Sequence, residues 1–330
     1  MFKYLVLFSL IAMSACTRSV MYTYMDQEID PSVLDEVHEQ NSAAVSDLQN
    51  QDFAYLSAHT LTEYGSAPEF ETQMREMHAF ITALGPELTI RPYHDFYSIV
   101  SGDGNKTIFH DLDLNAQSSI LYDTSHDTSF VCMSVCEANH KEVLQTIIFV
   151  KENNNWQIRL FHYGFLRIYG KDAMEWFTHT KNLYIQGYSI PAYLNLSLVY
   201  LCLSPAPIIK YTDGDKIKDF EKLMNERILS NISLPIHLPA FGDGYDIYGV
   251  EPLHAETLVP VIRYTTKLSI NNEAALEEEA WSLIPELESL FNGLTKVFNT
   301  IVIKAYFEPP VNPDVDYPRY GTIIDLNKNR

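Results

Sequence analysis

Up to Gly85-Pro86 the apolar residues of this chain return every third or fourth position, and beyond it they return every second one. The first period belongs to helices that bury one stripe, the second to strands that bury one face. Asp30 followed by Pro31 opens the first predicted helix: the carboxylate caps free N–H groups and the proline takes the first helical position. Val33, Leu34, Val37, Ala44, Val45 and Leu48 form its stripe, which Phe53 and Leu56 extend. Pro68 starts a second helix with Phe70, Met74, Met77, Ile81 and Leu84 inward, stopped by Gly85-Pro86. Strands are then expected at Leu88 to Val100, Lys106 to Leu112, Thr128 to Ala138, Val143 to Val150 and Trp156 to Ile168, with turns at Ser101 to Asn105 and Lys151 to Asn155. The last two make a long hairpin rich in β-branched and aromatic residues.

The helical period returns after this hairpin. Gly170 to Ser204 reads as two short helices hinged at Ile190-Pro191, Ala206 to Tyr211 as a strand, and Asp213 to Ile232 as an amphipathic helix with Ile217, Phe220, Met224 and Ile228 inward. Prolines and glycines from Leu234 to Gly249 mark irregular chain. A strand at Leu258 to Leu268, a helix from Glu273 to Asn299 kinked at Pro285, and strands at Thr300 to Phe307 and Tyr320 to Leu326 complete a small β-α-β-β layer.

Helices followed by a run of long antiparallel strands give an α+β class, not an alternating parallel one. The helical pair ending in Ala83-Leu84-Gly85-Pro86, the long strands and the closing hairpin KENNNWQIRLF resemble the nuclear-transport-factor-2-like, or cystatin-like, family. That resemblance covers residues 40–170 and implies a curved sheet wrapped around the helices as a cone. Residues 1–15 are then a leader, 16–39 a tether and the start of the first helix, 171–233 a helical connection, and 234–330 a small α+β domain.

The leader carries an address. Met1 to Cys16 has one early lysine, Lys3, an apolar run from Tyr4 to Met13, and small residues before a cysteine, the layout of a secretory signal peptide. Met13-Ser14-Ala15-Cys16 resembles the lipobox of bacterial lipoproteins, with Met13 where leucine is usual. The resemblance implies a diacylglyceryl group on the Cys16 thiol and cleavage just ahead of it; an ordinary signal peptide is the simpler alternative. Acyl chains contribute ~0.8 kcal/mol per buried methylene, enough in pairs for a stable anchor. The expected location is therefore the bacterial cell envelope, on the periplasmic or surface face of the outer membrane. The apolar segment Ala192 to Leu203 is too short to span a bilayer and is read as a core helix.

Charge narrows the partners. The formal net charge is −20 with 46% hydrophobic residues, and loss of Lys3 with the leader makes it one unit more negative. Nucleic acid and flat binding to anionic lipid both need clustered Lys and Arg, so neither is expected. Cys132 and Cys136 share one expected strand, where four residues span about 13 Å. A disulfide tolerates roughly 4.4 to 6.8 Å between α-carbons, so these two do not pair with each other; one disulfide to Cys202 stays open, and buried free thiols are the favoured reading of all three.

Candidate chemistry is sparse. No HExxH, GxSxG, Walker loop or GxGxxG is present, and no cofactor or metal is expected. The pairs His94-Asp95, His110-Asp111 and His126-Asp127 read as coincidence, because adjacent side chains on a strand face opposite ways. Asp213-Gly214-Asp215 and Asp243 to Asp246 read as a helix cap and a loop. On the last hairpin strand, strict alternation places Arg159, Phe161, Tyr163, Phe165, Arg167 and Tyr169 on one face, and Trp156, Ile158, Leu160, His162, Leu166 and Ile168 on the core face. The first face is either covered by neighbouring structure, the favoured reading, or lines a pocket for an anionic or aromatic ligand. The function expected is a lipid-anchored, non-enzymatic envelope protein that binds a protein partner or a small ligand. The family resemblance implies an alternative, an isomerase or dehydratase with Asp95, His162 and Tyr163 as acid–base candidates.

Overall fold

The computed structural model describes residues 21–85, 88–101, 105–112, 118–231, 233–310, 312 and 315–328. The leader, Cys16, Pro86 and the turn Gly102-Asp103-Gly104 lie outside the described residues. Residues 21–25, expected as tether, instead form β1 (Met21–Met25), an edge strand. Helix α1 (Pro31–Asn50) starts as the sequence indicates: the Asp30 carboxylate accepts from the Ser32 N–H at 2.9 Å, and Pro31 follows it. Its inward stripe includes Val37, Ala44 and Leu48, and Asp47 accepts a hydrogen bond from the Leu56 N–H at 2.8 Å. That bond sets the start of α2 (Ala54–His59), which leads to α3 (Thr62–Gly65) and α4 (Phe70–Thr82).

The main sheet is antiparallel throughout. Its strands are β2 (Thr89–Val100), β5 (Thr128–Ala138), β6 (Lys141–Glu152) and β7 (Asn155–Ile168), in the order β1-β2-β5-β6-β7. β5 and β6 are buried along nearly their whole length, which is why they read as apolar runs rather than clean alternations. One face packs on α1 to α4 through Phe53, Leu56, Met74, Phe130, Phe149, Trp156 and Phe161. The opposite face meets a second sheet of β3 (Lys106–Leu112), β4 (Ser118–Thr124) and β8 (Ile209–Tyr211), ordered β3-β4-β8. β4 lies where no strand was expected. Its buried face is Ser118, Ile120, Tyr122 and Thr124, so polar residues hold half of the period that an apolar pattern would display.

Helices α5 (Ala173–Ile185) and α6 (Ser189–Cys202) follow, with Asp172 capping α5 and Glu175 reaching back to the Asp172 N–H. The break between them falls at Gly187, in the left-handed region at φ 83°, not at Pro191. Pro191 sits in the first turn of α6, where its missing N–H is harmless. After α7 (Gly214–Asn231), a third sheet is built from β9 (Ile236–His237), β10 (Asp246–His254), β11 (Leu258–Thr265), β12 (Thr300–Tyr306) and β13 (Arg319–Asp325). Its order is β13-β12-β11-β10-β9, and only β11 and β12 run parallel. The crossover between them is α8 (Glu273–Leu290), continuous through Pro285, with the short α9 (Leu294–Val297) after it. The chain that read as one helix to Asn299 therefore divides at Phe291 to Gly293. β10 occupies part of the segment expected to be irregular. One apolar core joins the second face of the main sheet, the α5–α6 pair and the third sheet, from Val131 and Leu144 through Leu194 and Leu198 to Ile262 and Leu283.

Candidate functional site: a cleft at Arg159

Strand β7 carries the site because it breaks its own alternation. Phe149 pairs with Ile158 and Ile148 with Leu160, so Arg159 is an extra residue in a β-bulge. A one-residue insertion exchanges the faces of everything beyond it. Trp156 and Ile158 therefore point at the helices together with Phe161, Tyr163 and Phe165, while Leu160 and Leu166 serve the other core. This corrects the expected face: its three aromatics lie under α1 to α4, as the Phe80–Phe165 edge contact at 5.2 Å illustrates. A second register shift beside Glu142 separates Arg167 and Tyr169 from them. Arg167 shares Glu142 with Arg91, at 3.6 and 3.5 Å. Tyr169 donates its hydroxyl to the Ala255 carbonyl at 2.9 Å and packs edge-on against Trp176.

Of the six, Arg159 and Phe161 line a cavity, and Arg159 brings its only charge. A cleft of about 400 Å³ opens between α2 to α4 and the edge of β7, closed on its far side by Tyr122, Pro207 and Ile208. Its walls are mainly apolar, with Leu56, Phe70 and Met74 from the helices and Ile148, Ile158 and Leu160 from the sheet. Chain geometry holds the cleft open at the strand edge, where Leu61 donates its N–H to the Ile158 carbonyl at 2.9 Å. Nη1 of Arg159 is buried there and has no hydrogen-bond partner. Tyr122 lies within its electrostatic reach; burial raises the phenol to about 12, against the pull of its hydrogen bonds and of the Arg159 charge. The Tyr122 hydroxyl is bound to Ser129 Oγ at 2.9 Å, so it does not quench the guanidinium.

The acid–base candidates do not converge. Asp95 stands on β2 and Tyr163 on β7, three strand spacings apart, or about 14 Å. His162 pairs with Thr146 between the helix-facing residues Phe161 and Tyr163 and so lies on the opposite face; burial lowers its pKa. Tyr163 is buried beside Cys136, and burial pushes its phenol far up.

Asp95 has different company, which no motif announced. His38 Nε2 on α1 meets Asp95 Oδ2 at 2.9 Å, and Cys132 is the register partner of Asp95 on β5. The ligand atoms of His38, Asp95 and Cys132 all lie within 4.8 Å of one another. Burial raises the Asp95 pKa despite the opposing attraction of His38 and a weak hydrogen bond from the Cys132 thiol, and Oδ1 of Asp95 is buried with no donor in good hydrogen-bonding geometry. Its sequence neighbour His94 turns away to Asp26 Oδ2 at 3.0 Å, as adjacent strand residues should. The other two His-Asp pairs are equally divided: His110 stacks on Phe96 with ring centroids 5.2 Å apart, and Asp127 pairs with Lys106. Cys132, Cys136 and Cys202 are buried free thiols.

The fold and this site define an α+β protein with a mainly apolar cleft lined by one half-buried arginine whose Nη1 is buried. No family model, no curated protein and no solved structure matches the chain.

Proposed function

We propose that this chain is a lipid-anchored protein of the bacterial cell envelope that performs no catalysis and binds a small anionic ligand with an apolar body at Arg159. The observation that carries the reading is the orphaned Nη1 in an otherwise apolar cleft. A buried polar group without a partner costs free energy in the empty protein, and a carboxylate supplies the partner it lacks. The small, walled dimensions of the cleft favour a small molecule over a protein partner. Asp95, His162 and Tyr163 stand apart, so these three candidates of the isomerase or dehydratase reading assemble no pair among themselves.

The anchor rests on Met13-Ser14-Ala15-Cys16; no helix among the described residues is long and apolar enough to cross a membrane. The cone-like, nuclear-transport-factor-2-like reading of residues 40–170 is part of the same proposal. It is supported by three helices, α1, α2 and α4, on one face of the main sheet and by strand bulges beside His94, Val143 and Phe149, which bend strands locally. Calorimetric titration of the full chain with octanoate and with 1-octanol tests the ligand: tighter binding of octanoate supports the reading, and equal affinities sink it. Turnover of a small-molecule panel, abolished by a substitution in the cleft, would overturn the non-enzymatic assignment. Mass analysis of the mature N-terminus should find a diacylglyceryl-modified Cys16; an unmodified one removes the anchor.

A further inference from the structure

We propose that His38, Asp95 and Cys132 form a binding site for a divalent transition metal of the zinc class, held between α1 and the main sheet. Imidazole, carboxylate and thiolate together are the donor set of a borderline-soft ion, and the sulfur disfavours calcium and magnesium. The three ligand atoms already lie within 4.8 Å of one another. Bond lengths of about 2.0 to 2.3 Å to a tetrahedral ion require donors roughly 3.3 to 3.7 Å apart, so small side-chain rotations complete the site.

Two features of the cluster point to a ligand rather than to a packing clamp. The His38–Asp95 contact leaves Asp95 Oδ1 buried with no donor in good hydrogen-bonding geometry, in a residue only 9% exposed whose one other interacting donor is the weak Cys132 thiol, itself a proposed ligand. A clamp alone would satisfy that oxygen or leave it in solvent. A second carboxylate, Asp26, accepts a hydrogen bond from the Asp95 backbone N–H at 2.8 Å, which fixes the strand and adds negative potential beside the site. The His38 side chain is 44% exposed, giving an ion a path from solvent. Three protein ligands leave one coordination position for water. On binding, the metal–sulfur bond forms as the Cys132 S–H bond breaks, and the proton leaves to solvent. The ion would tie α1, β2 and β5 together at one point.

The test uses the full chain, stripped with a chelator and titrated with cobalt(II), then zinc(II). One equivalent of cobalt should bind with a thiolate-to-metal charge-transfer band in the near ultraviolet, and zinc should displace it. Cys132→Ser should abolish the band, whereas Cys136→Ser, at the neighbouring buried thiol, should retain it. His38→Ala removes a half-exposed helix residue without opening the core, and should weaken binding by at least about 100-fold, the upper end of the loss from an outer hydrogen-bond partner. Should Cys132→Ser fail to fold, His38→Ala and Asp95→Asn decide the matter. No stoichiometric uptake, uptake without the sulfur band, or unchanged affinity in His38→Ala would each overturn the site.

Discussion

Replacing Arg159 with methionine should make the protein more stable and less able to bind. Arg159 is the extra residue of a bulge and has no cross-strand partner on β6. Nη1 is buried with no partner, and an unsatisfied buried donor costs about 1–3 kcal/mol. Methionine keeps an unbranched apolar stem against Leu56, Ile158 and Leu160 and removes the orphan. Urea denaturation should therefore give Arg159→Met a higher midpoint at unchanged slope, worth about 1 kcal/mol or more. Binding should move the other way. A cleft of about 400 Å³ holds roughly thirteen heavy atoms at about 30 Å³ each, enough for octanoate. One hydrogen bond from a charged donor contributes about 1.5–3 kcal/mol, so octanoate should bind roughly 10- to 100-fold tighter than 1-octanol. In Arg159→Met the two affinities should become equal, and Arg159→Lys should fall between. A destabilised Arg159→Met with octanoate affinity intact would refute the reasoning, because the guanidinium would then be a structural element of the strand edge.

Three further outcomes follow from the same structure. A Cβ at Gly164 would stand 2.6 Å from the Pro205 carbonyl oxygen, so Gly164→Ala should cost about 1–3 kcal/mol in chemical denaturation through displaced backbone. Glu288 is partly buried, which raises its pKa, but hydrogen bonds from the Thr295 and Gly293 N–H groups and the Thr295 hydroxyl outweigh this and lower it below 4.5. Its contribution is thus present above the ordinary value and lost as pH falls through the folded one; Glu288→Gln should lose about 1 kcal/mol at pH 7, and little at pH 3, by the same assay. His110, His162, His179 and His254 all have pKa values lowered from 6.5, first by burial. The unfolded chain then binds more protons than the folded one as pH drops through 6.5, so the denaturation midpoint should fall from pH 8 to pH 5.5, and His162→Gln should flatten that slope.

The elements that were legible in the letters are those whose period one face of one layer controls. α1 could be placed because Asp30-Pro31 caps it and a single stripe is buried; β2, β3 and β7 were legible for the same reason at period two, and β5 and β6 as apolar runs between turns. β1 was not, because an edge strand such as Met21–Met25 packs little and shows no pattern of its own. β4 escaped because Ser118 and Thr124 are buried in place of apolar residues. The end of α8 was the harder boundary: the helix runs through Pro285 and stops at Leu290, where Gly293 at φ 86° starts the next turn, short of the expected Asn299.

The site was harder to read, for a physical reason that Arg159 makes plain. Strict alternation assigned it to the same face as Phe161 and Tyr163, and that assignment assumes a regular ladder. One bulge moves the aromatics under the helices and delivers the arginine to a cleft formed by residues from α2 to α4 and the chain before β8. Nothing local marks the insertion, because the register depends on what β6 presents opposite. The His38–Asp95–Cys132 cluster has the same origin: 57 residues separate the first two, and only the β2–β5 register sets Asp95 across from Cys132. Residue types suggested both places, since an arginine among aromatics and a cysteine in an apolar strand each call for a reason. Which side of the sheet each one faces follows from pairing between strands, so both sites became visible only with the sheet assembled.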